Sequence, residues 1–416
     1  MIYELMEAIT KERPVGTHVN NVITDYLEKQ LSDMGFYINS LPFECTSWEK
    51  GQSTLKIDEQ LIEVISSPFS EPFDGNGKLL IIKSLEELKN IDCAGYILIL
   101  SGIIAQSPLQ PKNYPFYYPE EHKKIISLLE QKKPKAIIAA TGRHPMCGME
   151  PFPLFEDGNF MIASAYMSEQ LLSQIEVAAK LQKTAHLFIQ SHKKIANSRQ
   201  LVASKKAKKS VGKIILCAHM DTKYNTSGAL DNAVGVAALM EIARGLKTGA
   251  YDIDVVPLNG EEYYGATGEL EYLKYLGSRQ DKMALAINID SPCHIGAKTA
   301  VSFYNLDQST AKTAEWFMTI NENIIKGQEW YAGDHAAFAF KGIPCLAVTS
   351  SDLFCGAMEH THTSKDTLDT VNLGMIKHTV RYVIDCISAL SDSNCCHNNL
   401  YSTIYSSFLL EDIHKF

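Results

Sequence analysis

After Gln200 the chain falls into a regular alternation of short apolar runs and amphipathic stretches, and this rhythm constrains the fold more than any other feature. Lys213–Ala218, Ile253–Leu258, Leu285–Ile289 and Cys345–Thr349 are runs of strand length and apolar content. Asp231–Leu246, Gly268–Leu276, Thr310–Asn321 and Asn372–Leu390 have helical spacing, with apolar or small residues at Val234, Ala237, Ala238, Met240 and Ile242 of the first. Strands that are apolar throughout are buried on both faces, and strand–helix alternation places helices on both sides of a largely parallel sheet. The expected class is α/β: a mostly parallel-centred mixed sheet sandwiched by helices. Ligands of such sheets bind beyond the carboxyl ends of the strands. The residues just past each apolar run are therefore where chemistry is to be sought.

The rest of the chain reads differently. Asn20–Met34 is helical in spacing and closed by Gly35, and Phe36–Cys45 reads as a strand. From about Gly51 to His192 short β-rich runs (Leu79–Ile82, Tyr96–Leu100, Ala136–Ala140) are separated by helical stretches around 85–88 and 122–130. The Pro-, Tyr- and Phe-rich stretch Ser107–Pro119 reads as a lid over the site or a packed surface loop, and the packed loop is the preferred reading. We expect a discontinuous main domain, 1–50 and 193–416, with a smaller β-rich α/β unit inserted over 51–192. The tail from Ser391 reads as a surface segment with an apolar patch at Phe408–Leu410.

Composition narrows the function classes. Hydrophobic residues make up 45% of the 416, enough for a large core, and 39 basic against 48 acidic residues give a net charge of -9. An acidic chain argues against nucleic-acid binding, which rests on basic surface. The one basic run, Lys205–Lys209, reads as a turn between strands. The ten cysteines show no CxxC spacing, so neither a zinc knuckle nor a disulfide is expected. The first residues lack a leader pattern, and the longest apolar stretch, Tyr96–Ala105, is too short to span a bilayer. The expectation is a cytoplasmic chain with no membrane partner.

The strand ends carry the strongest signal. The first run ends in Cys217-Ala218-His219-Met220-Asp221, and the helix after it opens with Asp231-Asn232. The next run delivers Asn259-Gly260-Glu261-Glu262, the one after it Asn288-Ile289-Asp290, and the last is followed by Glu359-His360-Thr361-His362. Strand ends lie side by side, so these groups converge on one rim, where divalent cations would relieve the repulsion between carboxylates. A mixed imidazole and carboxylate set suits zinc, with cobalt or manganese also compatible. His219, Asp231, Glu262, Asp290 and His362 are too many ligands for one catalytic zinc, which usually takes three. If Asp231 bridges, His219, Asp231 and Asp290 hold one cation and Asp231, Glu262 and His362 the other, with a water between them. Asp221, two residues past His219 in extended chain, points the same way and is placed to accept the second imidazole N–H. Glu261 points away from Glu262 and is assigned as general base. A lone HxD, Glu-Glu pair or strand-end Asp has an ordinary structural explanation; the joint order and placement carry the reading.

Those residues resemble a known family. HxD, an Asp-Asn pair ten residues after Asp221, Glu-Glu, an isolated strand-end Asp and a final His362-Thr363-Ser364-Lys365-Asp366-Thr367 look like the co-catalytic zinc aminopeptidases of metallopeptidase family 28. The likeness covers roughly 200–375 and, more weakly, Arg13-Pro14-Val15-Gly16-Thr17. It implies a zinc exopeptidase-like fold and a cis peptide bond between Asp231 and Asn232. Phe152-Pro153 through Phe160–Ser164 resemble the protease-associated (PA) domain of longer members. Tyr331-Ala332-Gly333-Asp334-His335 resembles a segment near the family's substrate, which makes Tyr331 a candidate oxyanion donor. Asn232 departs from the second Asp the family often has.

The expected function is a two-metal exopeptidase acting on peptides with a free N-terminus, with Glu261 passing a proton from water to the leaving amine. A carboxypeptidase is the nearest alternative, but no arginine cluster stands out in 200–375 to receive a free carboxylate. A glutaminyl cyclase-like enzyme would hold one zinc. A non-catalytic receptor-like binding protein would tend to lose ligands, whereas all five are present.

Overall fold

The computed structural model describes residues 2–395, apart from 146–147, 248 and 278–281, with side chains up to residue 391. The patch expected at Phe408–Leu410 lies outside the described residues. In chain order the strands are β1 (Tyr37–Ile57), β2 (Gln60–Glu63), β3 (Ile65–Ser66), β4 (Phe73–Ile82), β5 (Tyr96–Leu100), β6 (Ala136–Thr141) and β7 (Ser164–Ser168). They continue as β8 (Thr184–Lys205), β9 (Lys213–His219), β10 (Asp252–Leu258), β11 (Met283–Ile289), β12 (Thr299–Tyr304), β13 (Ile324–Lys326) and β14 (Cys345–Ser350). All belong to one sheet, ordered β13-β12-β14-β11-β9-β10-β8-β4-β5-β6-β7-β3, with β1 laid along β8 and β2 along β1.

The apolar runs after Gln200 form its parallel centre, β14-β11-β9-β10. Side chains alternate across a strand, so Ile214, Leu216 and Ala218 of β9 enter one core while Ile215 and Cys217 enter another. The first core is closed by helices Ile2–Ile9, His18–Asp33, Val234–Gly245, Gln308–Thr319 and Leu373–Cys395; the second by helix Thr267–Leu276 with Trp330 and Phe338. The sheet is mixed: β12 runs antiparallel to β14, with three-residue β13 beside it.

The strand expected at Phe36–Cys45 is half of a longer element. β1 and β8 pair from Tyr37↔Ser204 to Ile57↔Ala185, with one register shift between Lys50 and Ser53, and stay in strand conformation through residues 51 and 192. An antiparallel ribbon with a solvated face carries polar residues at alternate positions, which dilutes the apolar signal. Beyond the ribbon, β4–β7 run parallel and have a buried cluster on each face, drawn from 82–166 and 55–189. No described helix is long and apolar enough to cross a membrane. Seven cysteines have described side chains, all free; six are buried and Cys355 is exposed.

Candidate metal centre

The parallel strands end at one rim. His219 is the last residue of β9, Asp231 lies in the Ala229–Ala233 turn, Glu261 and Glu262 follow β10, and Asp290 follows β11. After β14 the chain turns through 357–363, where His362 takes φ 61°, a left-handed conformation that aims its ring back at the rim. The Asp231–Asn232 peptide bond is cis.

Nε2 of His219 stands 3.0 Å from Asp231 Oδ1 and 3.6 Å from Asp290 Oδ1. Nε2 of His362 stands 3.0 Å from Asp231 Oδ2 and 2.8 Å from Glu262 Oε1. Asp231 thus sends one oxygen into each of two triads, His219–Asp231–Asp290 and Asp231–Glu262–His362, and the ligand atoms within each triad lie within 4.8 Å of one another. Two ligand atoms about 2.0–2.1 Å from a tetrahedral cation stand about 3.3 Å apart. Spacings of 2.8–3.6 Å therefore fit donors grouped around such an ion. His360, two residues before His362, instead places its ring 5.4 Å from that of His294.

Burial alone would raise the Asp231 carboxyl, but His219 and His362 hold it well below the usual range. Burial would likewise lower the His219 imidazole, yet Asp231 and Asp290 hold it well above. Glu262, pushed up by burial, is brought down to about 2 by His362 and Lys223. Glu261 goes the other way: burial raises it well above the carboxylate range and, against the pull of His219, Glu262, Asp334 and Asp290 raise it further. Glu262 is thus held charged, as a ligand must be, while its neighbour is poised to take and release a proton.

Asp221 does not do what its spacing suggested. Its carboxylate is 3.9 Å from His219 Nδ1, beyond hydrogen-bond reach, and instead accepts from the Gly260 N–H at 2.9 Å and the Glu262 N–H at 3.1 Å. β9 ends at His219, and the Asp221 carboxylate faces the loop after β10. It positions the base and ligand of that loop. Asn232 is similarly placed: its amide donates to Ile289 O and accepts from the Gly235 and Ser291 N–H groups, tying the helix start to the turn that carries Asp290. A carboxylate could not make that donation.

Two residues of the family-like motifs, given no role by the sequence, act as supports. Asp366 accepts from the Leu230 and Asp231 N–H groups at 2.7 and 3.0 Å, fixing the backbone of the shared ligand. Arg13 is 1% exposed and donates to the carbonyls of Met220, Ser227, Gly228 and Lys11, clamping the loop between His219 and Asp231. Replacing Arg13 by Met strands those carbonyls and is expected to destabilise the fold by about 1–3 kcal/mol for each one left unsatisfied. The measurement is the urea midpoint; an unchanged midpoint would show that water replaces the guanidinium at no cost.

Tyr331 stands apart from the cluster. It is 48% exposed, its hydroxyl donates to Glu329 at 3.2 Å, and its ring stacks on Phe340. Neighbouring Trp330 takes the inward position, with its carbonyl accepting from the Tyr304 hydroxyl, so Tyr331 faces outward. Tyr114 is a buried tyrosine whose phenol burial holds well above the usual range, with Glu269, Glu261 and Asp334 adding to that. The stretch Ser107–Pro119 is packed onto the chain, as expected: the Leu109 and Lys112 N–H groups donate to Leu154 O and Asp157 Oδ2.

A parallel-centred sheet with two facing ligand triads at its carboxyl rim defines a metal-dependent hydrolase. Residues 200–387 match the model of Peptidase family M28, and the chain is a metal-dependent peptidase. Among solved structures it is similar to an aminopeptidase from Aneurinibacillus sp. strain AM-1, at 19% identity over 93% of this chain and 92% of that one, with a TM-score of 0.72. A zinc aminopeptidase from Bacillus subtilis matches at 15% identity over 94% of each chain, with a TM-score of 0.68. A Peptidase M28 precursor from Shewanella amazonensis SB2B matches at 18% identity over 92% and 91%, with a TM-score of 0.68. Coverage this high takes in most of 51–192, so the likeness of fold is not confined to the family segment. No curated protein matches the chain.

Proposed function

We propose that the chain is an aminopeptidase that works with two divalent cations, zinc by default, and removes the N-terminal residue of peptides whose amine is free. The observation that carries this reading is Asp231, shared between two complete triads, with Glu261 beside one of them. His219, Asp231 and Asp290 would hold one cation, and Asp231, Glu262 and His362 the other. Cations held in this way supply an acidified water and polarise a carbonyl.

The protein's own groups do the rest. Glu261 takes a proton from the attacking water and delivers it to the leaving amine, while Asp221 fixes the loop that carries it through the Gly260 and Glu262 N–H groups. The cations of the site are already engaged: Arg13 on main-chain carbonyls, Lys223 between Glu156 and Glu262. Arg143, beside the turn that carries His362, is paired with Glu359. Glu261, Asp290, Glu269 and Asp334 instead give an acidic surround suited to an ammonium group. We read 51–192 as a PA-like unit.

The test is a panel of aminoacyl amides offered with free and with acetylated amines, beside peptides with free and amidated C-termini. Hydrolysis is expected to need the free amine and to ignore C-terminal amidation. The reverse pattern would establish a carboxypeptidase instead.

A further inference from the structure

The two triads differ in what supports them. His219 and Asp290 stand at the ends of β9 and β11, neighbours in the middle of the sheet. Glu262 and His362 stand on turns, and one distant segment, residues 148–158 between β6 and β7, touches both turns.

At one end of that segment is Glu156. Lys223 Nζ lies 3.0 Å from Glu156 Oε2 and 3.1 Å from Glu262 Oε2, with the three side chains only 18–20% and 6% exposed. Glu262 therefore offers Oε1 toward His362 while its other oxygen is gripped by an ammonium. An ammonium has three N–H donors and can serve both carboxylates. Gly158 then abuts Tyr264: a methyl group on it would stand 2.3 Å from the phenol oxygen. At the other end Gly148, at φ +66°, lies against the His362 turn, where a methyl group would stand 2.3 Å from Thr361 O and 2.6 Å from Met358 O. The segment is anchored between these points by Phe152, Leu154 and Phe155, all buried in the core beside β5 and β6.

We infer that residues 148–158 form part of the second triad's support: Glu156 and Lys223 are positioning residues that aim Glu262, and Gly148 keeps the His362 turn in place. Binding of a cation by Asp231, Glu262 and His362 depends on this segment, and binding by His219, Asp231 and Asp290 does not. The inference rests on the two-cation reading above. Its physical basis is that groups outside the ligand shell orient the ligands, and their loss typically costs about 10–100-fold in metal affinity. Without Glu156 the Lys223 ammonium would lean on Glu262 alone and compete with the cation for its charge.

The experiment titrates metal-stripped protein with cobalt(II) alone, following visible absorbance, and with zinc by calorimetry. Two binding events are expected for the native chain. Lys223→Met is expected to weaken one of them by about 10–100-fold and leave the other unchanged, with Lys223→Arg recovering most of the loss. Glu156→Gln should act in the same direction, and the Lys223→Met/Glu156→Gln pair should be no worse than Lys223→Met alone. Gly148→Ala reaches the same site through His362, so it should weaken the same event. Melting curves of the stripped variants separate a lost site from a lost fold, and Lys223→Arg carries the test if Lys223→Met does not fold. Variants that leave both events intact, or weaken both equally, overturn the inference and leave the two-cation reading standing. A native chain that takes up no cobalt and no zinc overturns that reading itself.

Discussion

Replacing Glu261 by Gln is expected to lower turnover by about 10²–10⁴-fold, the usual worth of a positioned proton acceptor, while the metal content stays that of the native chain. Gln matches Glu in size and removes only the ability to take the proton. The loop has no need of that carboxylate, because Asp221 grips it through the Gly260 and Glu262 N–H groups. The Glu261 carboxyl is already pushed up by burial and by the neighbouring Glu262, Asp334 and Asp290, so its neutral form is an accessible state. The fall should appear in kcat and kcat/KM alike, since the contact is made only as the bond breaks. Native-like turnover would show that another group is the base. Loss of metal alongside turnover would make Glu261 a ligand.

Asp231→Ala has a wider expected consequence. One carboxylate serves both triads, through Oδ1 beside His219 and Oδ2 beside His362, so a single substitution takes a ligand from each. Both cations are expected to be lost, and turnover with them. His362→Ala should cost only one, because the His219 triad does not contain it. The measurement is metal per chain by atomic emission after gel filtration, with far-UV circular dichroism to confirm the fold. An Asp231→Ala protein that keeps one tightly bound cation would show that the carboxylate is not shared.

Much of the centre was legible because its chemistry sits where the topology is simplest. A parallel strand buried on both faces announces itself as an apolar run, and the residue after it has little choice of direction. His219, Asp290 and the Glu261–Glu262 pair could therefore be placed before any coordinates. What stayed hidden depends on meetings far apart in the chain. Lys223 looks like any solvated lysine until Glu156, 67 residues earlier, is brought onto it. Arg13 lies more than 200 residues from the carbonyls of Met220, Ser227 and Gly228 that it binds. Asp221 and Tyr331 were assigned on spacing or motif, and in the structure the Asp221 carboxylate and the Tyr331 hydroxyl meet other partners. A period-two argument holds only while the strand lasts, and β9 ends at His219. The long β1–β8 ribbon was only half seen, because pairing over its full length requires knowing that Tyr37 meets Ser204.

The most direct test of the account is the metal content of the full chain, purified without added metal and again after dialysis against zinc. The account predicts about two zinc ions per chain, both removed by a chelator together with all turnover and both restored with it. One zinc per chain, with full activity, would contradict the shared role of Asp231 and the two-triad centre built on it.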